Sequence, residues 1–222
     1  MRFDLTTRPG RAKAWLHAML VEHLAFNLIY RNFHRLSDEA FRSAQPTPGQ
    51  IARTVRKHGI RTILNLKDRN PNSAQYLLEA EQCRALGVTL VDINIASRAF
   101  PEPEKLRLAK TLFEQVEYPI WIHCKAGSDR AGIYSTLYQH FRLGRPIAAT
   151  DQLKFLPYGH FRHSSAGKFD FFLEQYLAYQ KHHPDIGLIE WAETAADYPT
   201  IKAAFKSTGW SNFLNDVVLR RE

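Results

Sequence analysis

Cys124 and Arg130 are separated by the five residues "KAGSD", behind the apolar run "PIWIH" and ahead of "AGIYSTLYQHF". That frame suits an anion site. Successive main-chain N–H groups in a short loop converge on one point and cradle an anion. A helix opening near Arg130 adds its positive end, and the guanidinium offers a planar charged fork to two phosphate oxygens. Ala126 and Gly127 let the backbone curl, and Gly127 accepts positive φ. Lys125, Ala126, Gly127, Ser128, Asp129 and Arg130 are therefore the expected phosphate-binding residues. A cysteine at a helix N-terminus beside cations is favoured as thiolate, which makes Cys124 a nucleophile aimed at phosphorus. His123 either bonds to main chain at the loop's base or is simply packed.

An isolated cysteine in an apolar strand is ordinarily core packing, and a Cys/Arg pair at this interval arises by chance. The conjunction argues otherwise: strand before, glycine within, arginine at a fixed interval, Gly132 just after, helix beyond.

The elements that must position this loop follow a regular alternation. Strands are expected at Ala40–Ala44, 60–66, 88–96 and 119–124, and helices at 48–58, 73–87, 104–116 and 130–144. Thr47 and Pro48 form a helix start, and Gly59, Gly87 and Gly144 stop three of the helices. Alternation of this kind predicts an α/β fold with a central, largely parallel sheet of four to five strands flanked by helices. Such sheets bind ligands at the carboxyl ends of their strands, where Cys124 falls. A helix over 14–30, with Leu16, Met19, Leu20 and Leu24 as its packing stripe, forms an N-terminal extension (1–37). The main domain is expected over 38–180, with a helical C-terminal cap over 181–222 packed on it.

At the loop the chain resembles the cysteine-dependent protein phosphatases, the tyrosine and dual-specificity superfamily marked by His-Cys-x5-Arg. Here the match is His123, Cys124, "KAGSD" and Arg130, followed by Ala131-Gly132. "HCKAG" is also similar to phosphoinositide-directed members. "FRSAQP" and "GIRTILNL" resemble a compact bacterial-type branch, and the likeness runs from Ala40 to about Tyr179. The resemblance implies metal-independent phosphomonoester hydrolysis through a phosphocysteine, with no cofactor and no metal ligands. It leaves open whether the substrate is a phosphorylated protein or a phosphoinositide or inositol phosphate, and a phosphate-binding pseudophosphatase is a further alternative. A rhodanese-type sulfur transferase fits the frame less well.

The chain departs from that pattern twice. Dual-specificity relatives carry an acidic proton donor, an aspartate, after the preceding strand, but that loop here reads "ASRAFPEPE". Asp129, within the loop, is the first candidate for the acid, Glu102 the second and Asp92 the third. Ala131 replaces the usual Ser or Thr, whose hydroxyl steadies the thiolate, so slow turnover is expected.

The rest of the chain bounds the partners. A formal charge of +8 favours anionic ones, yet no basic block interleaved with aromatics points to nucleic acid. The apolar stretch 14–30 is broken by His17, Glu22 and His23 and falls short of a span. Arg2, Arg8, Arg11 and Lys13 beside it leave membrane-surface association as an alternative to packing on the domain. Cys83 and Cys124 make no disulfide framework and imply a reducing, cytoplasmic compartment. Cys83 reads as a packed helix cysteine, or else as an oxidation partner of Cys124. Lys67 either adds charge to the pocket or is a solvated strand end. Tyr158, His160, Arg162 and His163 form either a pocket wall or a buried, hydrogen-bonded turn. The oligomeric state is not encoded in these features.

Overall fold

Apolar, β-branched runs too short for helices supply the strands. In the computed structural model, which describes residues 3–96 and 99–207, these are β2 (Ala40–Ser43), β3 (Thr62–Asn65), β4 (Thr89–Asp92) and β5 (Ile120–His123). A strand not foreseen, β1 (His34–Ser37), lies within the stretch assigned to the N-terminal extension. The order is β1-β2-β5-β3-β4, with β1 antiparallel to β2 and the other pairs parallel. The chain is thus α/β, with a five-stranded and mostly parallel sheet. The antiparallel β1 escapes sequence reading because "HRLS" is short and lacks an apolar run.

The helices are α1 (Arg8–Leu20), α2 (Phe26–Ile29), α3 (Pro48–His58), α4 (Ala74–Leu86), α5 (Pro103–Gln115), α6 (Asp129–Phe141), α7 (Lys168–Gln180), α8 (Leu188–Thr194) and α9 (Tyr198–Ser207). Thr47 caps α3 in a reciprocal box with Gln50, and Gly59 closes it in the left-handed conformation. Residues 208–222 of the expected C-terminal cap lie outside the described residues, as do Ser97 and Arg98 of the loop before α5.

The chain forms two compact units, Met1–Ile95 with Val116–Ala131, and Ala96–Gln115 with Gly132–Glu222. The first holds the sheet. Register aligns Phe41, Trp121 and Ile63 in one row, and they pack with Ile51 of α3 and Cys83 of α4. Cys83 is therefore a core residue, and burial pushes its thiol well above the ordinary range. The second unit is helical. In it Phe172 and Tyr176 of α7 pack on Trp191 of α8, and Tyr198 of α9 donates to Pro101 O at 2.7 Å. His160 is buried with its Nε2 2.6 Å from Asp170 Oδ2, and the main chain turns back from Gly159 to Phe155 O. The 158–163 cluster includes a buried, hydrogen-bonded turn.

One expectation is corrected at the N-terminus. The single helix over 14–30 is two helices, broken around His23, whose φ is +60°. The buried face of α1 is Ala14 and Ala18, packed with Ala74 and Leu78. Leu16 and Leu20, expected in the packing stripe, are exposed. Small alanines allow α1 to approach α4 closely, so the larger leucines are left on the outside.

Candidate active site

The four parallel strands end in one row: Ser43, His123, Asn65 and Asp92 are in register across β2, β5, β3 and β4. β5 is the central strand of the five. Cys124 follows it directly, at the carboxyl edge where open α/β sheets bind ligands. The loop Lys125–Ser128 then leads to α6, which starts at Asp129.

Cys124 is 3% exposed, and the Gly127 N–H donates to its Sγ at 3.2 Å. A loop amide pointing at sulfur also points toward any anion the sulfur attacks. Gly127 has φ +74°, and a Cβ there would sit 2.5 Å from Ala44 N. Only glycine accommodates both the left-handed turn and that close approach to the end of β2. Arg42, wholly buried on β2, donates through Nη2 to Gly127 O at 2.7 Å and Ser128 O at 3.0 Å. Lys125 is exposed, Ala126 half-buried and Ser128 buried. Arg130 is half-buried, and its Nη1 donates to Leu66 O at 3.2 Å. The structure therefore turns the Gly127 amide onto the Cys124 sulfur, with α6 opening two residues on at Asp129.

The three candidate acids belong to different elements. Asp129 is the first residue of α6 and half-buried. Asp92 ends β4, two strands from β5, about 10 Å across the sheet at ordinary strand spacing. Its carboxylate accepts from Asn65 Nδ2 at 2.8 Å and from the Tyr76 hydroxyl at 2.7 Å. Glu102 precedes α5 in the other unit, where its main-chain oxygen accepts the Lys105 and Leu106 amides. Of the three, only Asp129 directly follows the loop in the chain.

Sequence reasoning missed the polar layer under the loop. His123 Nε2 faces Glu79 of α4 at 2.7 Å, rather than holding loop main chain. Gln45 Nε2 donates to Glu79 at 2.8 Å, Gln45 N donates to Lys125 O at 3.1 Å, and Lys67 Nζ donates to Gln45 Oε1 and Gln75 Oε1, each at 3.0 Å. Lys67 is thus pinned rather than solvated. Burial holds its pKa below the usual lysine value; Glu79 and Glu22 oppose that shift, Arg130 adds to it, and the Cys124 charge opposes it. The signal available in sequence was a strand-end lysine and a helix glutamate at a position otherwise apolar.

A family model described as DSP-PTPase phosphatase fused to NAD+ kinase matches residues 31–158, more than half of the chain. Among solved structures, TpbA of P. aeruginosa is 19% identical, with 63% of this chain and 83% of that one covered, at a TM-score of 0.51. Tk-PTP in its active form is 16% identical, covering 66% of this chain and 99% of that one, at a TM-score of 0.50. No curated protein matches the chain by sequence.

Proposed function

The chain belongs to the DSP-PTPase phosphatase family, and from that premise we propose that it hydrolyses phosphomonoesters through a phosphocysteine on Cys124, without a metal. The observation that carries the proposal is the Gly127 amide held 3.2 Å from the Cys124 sulfur at the mouth of the central strand. The thiolate attacks phosphorus, an S–P bond forms, and the P–O bond to the leaving group breaks. Loop amides and the Arg130 guanidinium take the charge on the equatorial oxygens. Asp129 gives its proton to the leaving oxygen and, as carboxylate, takes one from the water that then cleaves S–P. Inorganic phosphate and the thiolate are the products of the second step. Two free cysteines, with no disulfide between them, suit a reducing, cytoplasmic setting.

The test is rapid acid quench during turnover of an aryl phosphate, followed by intact-mass and peptide analysis. A phosphoryl adduct on Cys124 supports the proposal. Its absence under burst conditions, with turnover continuing, contradicts it.

A second reading concerns the substrate. Leu16 and Leu20 of α1 and Phe26 and Ile29 of α2 are all more than half exposed, and Arg8 and Lys13 are exposed on α1. Apolar side chains beside cations suit the surface of an anionic bilayer, and so a phosphorylated lipid rather than a phosphoprotein. Among the described residues no helix is long and apolar enough to cross a membrane. Sedimentation with phosphatidylserine vesicles, lost in Phe26→Ser/Ile29→Ser, favours the lipid. Failure to sediment, with efficient phosphopeptide turnover, favours the protein substrate.

A further inference from the structure

An anion cradle works only if its N–H groups face inward, and a peptide unit that turns its carbonyl outward turns its N–H the other way. In this loop four consecutive carbonyls have side-chain donors outside it. Arg42 takes those of Gly127 and Ser128. Asn32 Nδ2 donates to Ala126 O at 2.9 Å, and Asn27 Nδ2 reaches Lys125 O at 3.4 Å and Gln45 O at 3.0 Å.

Both asparagines are themselves fixed. Asn27 is 7% exposed, and its main-chain oxygen accepts from Nε2 of Gln50, a member of the capping box of α3, at 3.1 Å. Asn32 is 8% exposed, and its Oδ1 lies 2.9 Å from His34 Nε2, which leaves the amide nitrogen turned to the loop. The approach is completed by Glu22, whose carboxylate accepts Ser73 Oγ, Ala74 N and Gln75 N at 2.8, 2.8 and 2.9 Å, so the stretch before Asn27 is tied to the start of α4.

Glu22 and Asn27 lie before residue 31, where the family match begins. We propose that residues 22–32 are a working part of the phosphate site, with Asn27 and Asn32 as positioning residues that hold the Lys125 and Ala126 carbonyls outward and so aim the following amides at the anion. The inference rests on the phosphate-site reading above. It assigns a role in catalysis to a segment that lies mostly before the matched domain and enters it only at its last two residues. Neither asparagine touches substrate; each acts through the loop.

The test uses the full chain with Asn27→Asp, Asn32→Asp and, as a control outside this segment, Leu108→Ala, an exposed residue of α5. Aspartate keeps the shape but replaces the donor with an acceptor facing a carbonyl, so the loop is pushed rather than held. Expected are a fall of about tenfold or more in vanadate affinity and in kcat/KM for an aryl phosphate, with wild-type values for Leu108→Ala. A purely structural role would move melting temperature alone, so stability is read beside vanadate affinity. Should an aspartate variant not fold, the alanine variant at that position, which removes the donor without adding an acceptor, is read by the same criterion. Unchanged vanadate affinity in folded variants at both positions overturns the proposal. A wild type that binds no vanadate overturns the phosphate-site reading itself, and this inference with it.

Discussion

His123 Nε2 lies 2.7 Å from Glu79 Oε1, and both side chains are sealed from solvent. The pair ties the last residue of β5 to α4, one position before the nucleophile. A buried carboxylate is costly unless paired. For Glu79 burial alone pushes the carboxyl upward, but the charge and hydrogen bond of His123, the Gln45 amide and Lys67 more than offset it and hold it below the usual value.

Glu79→Gln should therefore destabilise the protein by about 3–5 kcal/mol, the range for breaking a buried pair from one side. The sign of the pH effect follows from the depressed carboxyl. Its contribution is complete above about pH 4.5, the unfolded value, and is lost as pH falls through the lower folded value. Urea unfolding of wild type and Glu79→Gln between pH 3 and 7 checks this. The two stabilities should converge toward acid, and parallel curves would contradict the assignment.

Gly127→Ala should abolish measurable turnover. The new methyl meets Ala44 N at 2.5 Å in a backbone held at φ +74°, and neither atom belongs to a flexible side chain. The loop must shift away from β2, moving the amide that faces the sulfur. Aryl phosphate kinetics and vanadate affinity should fall together, while circular dichroism stays close to wild type.

Arg42→Met should weaken vanadate binding by about tenfold or more, since two loop carbonyls lose a charged donor. Arg42→Lys should restore part of it, because one ammonium does not reproduce the reach of a planar fork. Equal affinity in all three proteins would remove Arg42 from the loop's support.

Asp129→Asn tests the proton donor. Hydrolysis of poorly activated alkyl phosphates should slow far more than that of activated aryl phosphates, whose leaving groups need little protonation. Equal losses on both would place the acid elsewhere.

The phosphate loop was legible because its chemistry is local. Strand, cysteine, glycine, arginine and helix are consecutive, and each residue type carries its own physical reason. The parallel strands and α3 to α6 were legible for the same cause: apolar runs punctuated by Thr47, Gly59 and Gly87. What supports the loop was not. Arg42 reaches Gly127 across 85 positions and Asn32 reaches Ala126 across 94, so no spacing rule connects them. The N-terminal helix misled for a related reason: leucines outrank alanines in a packing stripe, yet the close approach of α1 to α4 buries Ala14 and Ala18. Asp92 shows the converse, a suitable residue type whose carboxylate is already engaged by Asn65 and Tyr76.

Aryl phosphate hydrolysis by wild type and Cys124→Ser, with vanadate inhibition and an EDTA control, tests the central claim most directly. The account predicts turnover in the wild type that resists EDTA, yields to vanadate and vanishes in Cys124→Ser while vanadate affinity persists. Turnover that survives Cys124→Ser, or that EDTA removes, would contradict it.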